Sequence, residues 1–200
     1  MAAGAPGSGR ILRPPGAADE TEFISRCIRC FQCGSVCPNT AIQYAGLDMG
    51  ISSLFTPYII AREQACILCM KCTEVCPSNA LTKISEEDIT EKVDMGTAMI
   101  DKGLCYSWNN RCCGICYYSC PFPDEALKLD FMARPFINKQ KCVGCGLCEK
   151  ACVHLPHAIR VIPRKIAKTM NIPLVNPAPP DSSTMPRISQ KENRNDQALP

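Results

Sequence analysis

The cysteines of this chain recur at short, fixed spacings, and this pattern constrains the fold more than any other feature of the sequence. Three stretches follow the spacing Cys-x2-Cys-x2-Cys-x3-Cys, and a fourth is a variant of it. These four motifs begin at Cys27, Cys66, Cys105 and Cys142, so they follow one another about every 40 residues, a period that indicates a repeated supersecondary unit.

The number of cysteines allows two classes of protein. Seventeen cysteines in 200 residues are typical of a disulfide scaffold or of a metal protein. The odd number and the clustering in Cys-x-x-Cys pairs argue against disulfides, because thiols that converge on one point suit a shared metal.

Motifs one and two match the run by which bacterial ferredoxins hold iron–sulfur clusters. In that run three closely spaced thiolates bind one [4Fe–4S] cubane, and the fourth, which precedes a proline, binds the other cubane of a pair. Proline follows the fourth cysteine in both motifs, at Pro38 and Pro77. A zinc ion is the alternative, but it takes only four ligands, usually from two separated Cys-x-x-Cys pairs. The predicted ligands are Cys27, Cys30, Cys33 and Cys37 in motif one, and Cys66, Cys69, Cys72 and Cys76 in motif two.

Motif four has the same spacing, although Val153 replaces the proline. Gly144 and Gly146 allow its loop to turn tightly and to bring backbone amides near the sulfurs. Its predicted ligands are Cys142, Cys145, Cys148 and Cys152.

Motif three is irregular, because Asn110 stands where the first cysteine is expected. Cys105 is the natural substitute, which makes Cys112 the spare cysteine. The alternative is that Cys112 is a ligand and Cys113 is spare, and a three-iron cluster at this position is a further alternative. The predicted ligands are Cys105, Cys113, Cys116 and Cys120.

Short apolar or alternating segments flank the motifs and predict an α+β fold of short strands and helical turns. We expect two pseudo-symmetric ferredoxin-like halves within residues 19–168, an extended N-terminal arm over residues 1–18, and a disordered or extended tail over residues 169–200. Ser85–Asp94 is polar and acidic and is predicted to be a surface helix or a linker. The predicted strands are Ala41–Tyr44, Tyr58–Arg62, Ala80–Lys83, Thr97–Lys102, Ala126–Leu129, Phe136–Lys139 and Ala158–Ile162.

The charge of the chain changes once metal is counted. The formal net charge is +3, but each cluster with four thiolates adds about −2, which gives about −5 for a chain with four clusters. We therefore expect no nucleic-acid partner. No nucleotide-binding, phosphate-binding or nucleophile motif is found, so the chain is predicted not to be an enzyme. His154 and His157 are expected to be surface or packing residues.

Several segments together resemble the NapG/MauM family of ferredoxin-type proteins, which serve periplasmic nitrate reduction and methylamine utilisation. They include "LRPPGA" (residues 12–17), "TPYIIAR" (residues 56–62), "CPSNAL" (residues 76–81) and "CVGCGLCEKAC" (residues 142–152). The seven residues between Cys105 and Cys113 also resemble the third motif of the family. The compact spacing of Cys69 and Cys72 departs from it, because members often have extra residues there.

The resemblance implies an electron relay with four [4Fe–4S] clusters. Its partners would be a membrane quinol-oxidising subunit on one side and a redox enzyme or cytochrome on the other. The alternative function is a maturation or assembly factor in which the clusters are structural. The resemblance also implies a periplasmic location, with attachment to the membrane through a partner and no membrane span of its own. Residues 1–9 do not read as a signal peptide, so a cytoplasmic location is the alternative.

A likeness to multi-cluster respiratory subunits motivates an expectation about how the motifs pair. In that arrangement motifs one and four exchange their last cysteines, as do motifs two and three, and the two halves interleave. Sequential exchange, one with two and three with four, is the alternative.

Overall fold

A computed structural model describes residues 11–163 of the chain. Short helices and strands alternate along it, as the sequence predicts. The helices are α1 (Glu20–Arg26), α2 (Gln32–Ser35), α3 (Lys71–Glu74), α4 (Ile89–Lys92), α5 (Ile115–Tyr118) and α6 (Leu147–Ala151). The strands are β1 (Ile42–Tyr44), β2 (Pro57–Ile59), β3 (Thr97–Ile100), β4 (Leu127–Leu129), β5 (Pro135–Ile137) and β6 (Ile159–Ile162).

Each strand belongs to a two-stranded antiparallel sheet. β1 pairs with β2, with Ile42 opposite Ile59, and β4 pairs with β5, with Leu127 opposite Ile137. The third sheet joins β3 to β6 across most of the second half of the chain. β1–β2 therefore connects motif one to motif two, and β4–β5 connects motif three to motif four.

Six of the seven predicted strands form, with ends that differ by a few residues. The segment Ala80–Lys83 does not become a strand, and Leu81 makes only an isolated bridge to Ala17. Its neighbour Thr82 donates a backbone hydrogen bond to Gly16 at 2.8 Å. The partner segment is short and contains two prolines, so the ladder ends after this bridge.

The segment before α1, predicted as part of an extended arm, contacts the folded body over residues 11–18. Leu12 is buried and accepts a hydrogen bond from the amide of Ile59 at 2.8 Å. Arg13 is buried as well, and its guanidinium donates to Thr56, to the carbonyl of Pro57 and to Glu20. A buried guanidinium is tolerated because its donors are matched by acceptors. The first ten residues and the predicted tail, residues 169–200, lie outside the described residues.

The segment Ser85–Asp94, predicted as a surface helix or a linker, contains a short helix and also connects two parts of the fold. A 3₁₀ turn over Glu86–Asp88 leads into α4, and an ion pair joins Lys92 to Asp88 at 2.6 Å. Only its end is buried, at Val93.

The described core contains four apolar clusters, and three of them contain cysteines. The first cluster contains Phe23, Cys33, Cys72, Ala80 and Leu81. The middle cluster contains Leu12, Ile59, Ala61, Leu68, Met70, Ile84, Val93, Met95, Val143 and Cys145. The third contains Ala98, Cys116, Leu127, Ile137, Cys148 and Ile159. Cysteines belong to each of these three clusters, so the sites that they form are continuous with the core. The fourth cluster, formed by Ile11, Ala45 and Met49, contains no cysteine.

Within residues 11–163, no helix has both the length and the apolar composition needed to cross a bilayer.

Candidate metal centres

Each motif forms a loop that ends in a short helix carrying its third cysteine. The residue after the second cysteine has a left-handed backbone in all four motifs. These residues are Phe31 (φ 64°), Met70 (φ 51°), Gly114 (φ 70°) and Gly146 (φ 85°). Left-handed residues in such loops turn successive amides towards one side and form a concavity that favours anions. Only two of the four are glycine, so the other two loops hold a conformation that costs a bulky residue about 1–2 kcal/mol.

Sixteen cysteines are brought together in four groups of four, which we call sites I to IV after the motif that supplies three members. Each group lines one pocket of the molecule. Site I consists of Cys27, Cys30, Cys33 and Cys76. Site II consists of Cys66, Cys69, Cys72 and Cys37. Site III consists of Cys105, Cys113, Cys116 and Cys152. Site IV consists of Cys142, Cys145, Cys148 and Cys120.

The fourth cysteines are exchanged sequentially, and the expected nested exchange is wrong. Cys37 of motif one lies in site II and Cys76 of motif two lies in site I. The packing of the ligand helices explains this, because α2 packs against α3 and α5 packs against α6. The fourth cysteine of each motif therefore lies in the site of the neighbouring motif, the one whose helix packs against the helix of its own motif.

Site III bears on which cysteine of the irregular motif is the spare one. Cys105 lies with Cys113 and Cys116 around the pocket, whereas Cys112 is exposed and lines none of the four pockets. A 3₁₀ turn over Ser107–Asn109 brings the chain back from Cys105. The structure thus brings Cys105, and not Cys112, to this pocket.

The sites are buried in different degrees. The third cysteine of each motif, on its helix, is at least nine-tenths buried, whereas Cys30 at the mouth of site I is exposed. Burial is the largest cause of the raised thiol pKa values, and neighbouring cysteines raise them further. The pKa is raised to about 11 for Cys33 and Cys66, to about 12 for Cys72, Cys116 and Cys145, and well above its usual value for Cys148. Four thiolates in such a place need a cationic group among them.

The donor set fits a cluster better than a single ion. Among residues 11–163 no three His, Cys, Asp or Glu side chains converge closely enough for one metal ion. The four cysteines of each site instead surround a space, and the spaces are nearly equal, at about 360, 330, 380 and 370 Å³ for sites I to IV, including their open sides. Four cysteines around a pocket are the ligand set of a [4Fe–4S] cluster. All seventeen cysteines are free of disulfides.

Backbone amides also point at the sulfurs. Ala41 donates to Cys37, Leu68 to Cys66 and Leu81 to Cys76, each at 3.4 Å. Ala98 donates to Cys142 at 3.5 Å. Such hydrogen bonds stabilise negative charge on the sulfurs and tune the potential of a bound cluster.

Two pocket residues were missed by sequence reasoning. The hydroxyl of Tyr44 lies over site I, where it donates to the carbonyl of Phe31 and accepts from the amide of Gly34. His154, expected at the surface or in packing, lines the pocket of site III beside Tyr106, with ring centroids 5.0 Å apart. Neither residue belongs to a spacing pattern, so only the folded chain shows their place.

Comparison with known protein families agrees with this geometry. Residues 26–81 and residues 65–123 each match a 4Fe-4S dicluster domain, and residues 133–154 match a 4Fe-4S binding domain. The first match covers the two motifs that share sites I and II. The second covers motifs two and three, which lie in different pairs in the structure, so the repeated spacing alone does not identify the pairs.

Relatives along most of the chain decide the family. The ferredoxin-type protein NapG of Escherichia coli is 38% identical over 172 residues, which cover 80% of this chain and 74% of NapG. The chain belongs to the NapG/MauM family of ferredoxin-type iron–sulfur proteins. The methylamine utilization ferredoxin-type protein MauM of Methylorubrum extorquens is 37% identical over 168 residues, covering 78% of this chain and 74% of MauM. The ferredoxin-type protein NapF of Haemophilus influenzae is 33% identical over 143 residues, covering 70% of this chain and 74% of NapF.

Proposed function

We propose that this member of the NapG/MauM family is an electron-transfer protein that holds four [4Fe–4S] clusters, one in each of sites I to IV. The observation that carries the proposal is the grouping of sixteen cysteines, four by four, around pockets of nearly equal size. In this proposal Cys112 is not a ligand.

The chain's own residues would fix the position and the environment of each cluster. Three thiolates come from one loop and helix, and the fourth comes from the neighbouring motif, so each site ties two motifs together. Buried cysteines on α2, α3, α5 and α6 keep water from one side of the sites. A bound [4Fe–4S] cluster supplies reversible one-electron chemistry.

The described elements support two pseudo-symmetric halves within the proposed domain of residues 19–168. In each half a hairpin joins two motifs, and the segment before the first motif pairs with the segment after the second. In the first half this last pairing is the bridge between Ala17 and Leu81. In the second half it is the sheet of β3 and β6. Residues 12–18 would belong to the first half.

The family resemblance supports the direction of transfer that we propose. Electrons would come from a membrane quinol-oxidising subunit and leave to a redox enzyme or cytochrome, with the chain in the periplasm and attached to the membrane through its partner. The chain itself would not be an enzyme; the ferredoxin-type proteins NapG and MauM among its relatives support this part of the proposal.

A reductive titration tests the carrier function. Anaerobic protein should take up about four electrons per chain and return to its starting spectrum on reoxidation, because each of four cubanes cycles one electron. In a maturation or assembly factor the clusters are structural, and they need not be reduced and reoxidised. Clusters that are not reduced, or that are destroyed by one cycle, would favour that rival.

A second experiment tests the quinol partner. Duroquinol should reduce the protein in the presence of membranes from the producing cells, and much more slowly without them. Equal rates with and without membranes would remove the membrane subunit from the proposal and leave the carrier function intact.

A further inference from the structure

A backbone contact joins a cysteine of the first half to a cysteine of the second. The amide of Cys66, in site II, donates a hydrogen bond to the carbonyl of Cys145, in site IV, at 3.0 Å. Close by, the amide of Met95 donates to the carbonyl of Val143 at 3.1 Å. The loop of motif four therefore lies directly against motif two of the first half, and also against the segment that precedes β3.

The three apolar clusters that contain cysteines place the other sites away from this contact. The middle cluster contains Cys145, and Cys66 packs against it. Among the described residues, no cysteine of site I or III belongs to this cluster: Cys33 lies in the first cluster and Cys116 in the third. Sites II and IV extend from the middle into these outer clusters, through Cys72 and Cys148. Sites II and IV thus face each other across the middle of the molecule.

The close approach depends on a glycine in the loop of motif four. Gly146 has a φ of +85°, and a Cβ atom at this position would lie 2.3 Å from the Cβ of Ala61 and 3.3 Å from its Cα. Distances below 3.0 Å force one of the two segments to move. Ala61 follows β2 in the first half, and Gly146 stands between Cys145 and the helix that carries Cys148.

We propose that Gly146 is a positioning residue that sets the approach of site II to site IV, so that the four sites lie in the order I, II, IV, III. Sites I and III are then the ends of the series. The inference rests on the proposed function, because the order matters only if all four sites hold clusters. Bound clusters exchange single electrons with no bond formed or broken, so the order of the sites fixes the order of the transfers.

The order is tested by magnetic coupling between pairs of reduced clusters. Cys30→Ala with Cys113→Ala removes sites I and III, and Cys69→Ala with Cys142→Ala removes sites II and IV. The first chain should give the split, broadened EPR spectrum of two neighbouring clusters, and the second the spectra of two isolated clusters. The reverse result, or coupling of equal size in both chains, would overturn the order.

The role of Gly146 is tested in the chain that keeps sites II and IV. Gly146→Ala should reduce the splitting, because the added methyl pushes the two segments apart. Gly50→Ala is the matched control, since Gly50 also has a positive φ of +93° and no atom lies within 4 Å of its Cβ position. Ala61→Gly, added to Gly146→Ala, should restore the splitting by removing the facing methyl group. A splitting unchanged in Gly146→Ala, or reduced as much in Gly50→Ala, would overturn the positioning role.

A measurement on the chain with all its cysteines keeps the test decisive if the cluster-deleted chains do not fold. Hydrogen exchange at the Cys66 amide should be faster in Gly146→Ala than in the unaltered protein, and unchanged in Gly50→Ala. Exchange unaffected by Gly146→Ala would contradict the proposal. Iron analysis of the unaltered protein separates the two claims, since fewer than four clusters would count against the proposed function and not against the contact.

Discussion

Cys105 and Cys152 lie around the same pocket, although they belong to different motifs. Cys105 is the first cysteine of the irregular motif three, and Cys152 is the last of motif four. Motif three therefore still contributes to a site of four cysteines, although seven residues separate Cys105 from Cys113. The cysteine left over, Cys112, is exposed.

The first prediction concerns this irregular motif. Cys112→Ser should leave the iron content unchanged, because its thiol lines no site. Cys105→Ser should remove one cluster or convert it to a three-iron form, because serine is a poor replacement for a thiolate ligand. Iron analysis and EPR of anaerobic protein distinguish the two variants. Equal iron loss from both would show that site III uses different cysteines.

The second prediction concerns the exchanged fourth cysteines. Cys37→Ala and Cys69→Ala should lose the same cluster, so the double variant should lose no more iron than the single variants do. Cys37→Ala with Cys30→Ala should lose two clusters, because these cysteines lie in different sites. This is the logic of a double-mutant cycle, in which groups that act together are not additive.

Nested exchange would give a different result for the same set. Cys37 would then belong with motif four, and Cys37→Ala would be additive with Cys69→Ala. The iron loss of Cys37→Ala would then not add to that of Cys145→Ala, and this double variant is the control.

The sequence predicts which three cysteines of a motif lie close together, but not which site the fourth cysteine joins. The spacing of Cys27, Cys30 and Cys33 identifies three members of one site, because three thiols so close in the chain must face one point. The fourth cysteine, such as Cys37, is directed away by the following proline, and nothing near it specifies the site that it reaches. Helix packing between distant motifs decides this, and a single spacing pattern contains no information about such packing.

Tertiary contacts also override local signals elsewhere in the fold. Residues 11–18 resemble an arm in composition, but Arg13 is buried because the nearby Glu20 and the distant Thr56 both supply acceptors. Phe31 and Met70 adopt left-handed conformations that their propensities oppose. At Gly144 and Gly146, by contrast, the residue type indicated the turn beforehand.

The third prediction concerns the contacts of Arg13. Arg13→Gln should lower the free energy of unfolding by about 3 kcal/mol, because it leaves buried acceptors unpaired and breaks a largely buried ion pair with Glu20. It also removes the guanidinium from the face of Phe23, 4.8 Å from the ring centroid. The rate at which denaturant bleaches the cluster absorption measures the change.

An exposed ion pair in the same region provides the control. Arg26 pairs with Glu22 one helical turn earlier, with both side chains nearly half exposed. Arg26→Gln should cost less than about 1 kcal/mol. Equal bleaching rates in the two variants would show that Arg13 is not a structural anchor of the N-terminal segment.

The fourth prediction concerns removal of the metal. Anaerobic chelation of the iron should abolish most of the far-UV circular dichroism, because helices and strands of three to seven residues are too short to persist without cluster ligation. Reconstitution with iron and sulfide should restore it. A chelated chain that keeps its spectrum and unfolds cooperatively would show that the apolar clusters suffice to hold the fold.

The number of clusters is the claim on which the other conclusions depend. Iron and acid-labile sulfide should be measured together on anaerobically purified chain, with zinc measured in the same sample. Four cubanes predict about sixteen irons and about sixteen sulfides per chain, with zinc absent. About eight irons, or zinc in place of iron, would contradict the assignment of one [4Fe–4S] cluster to each of the four sites.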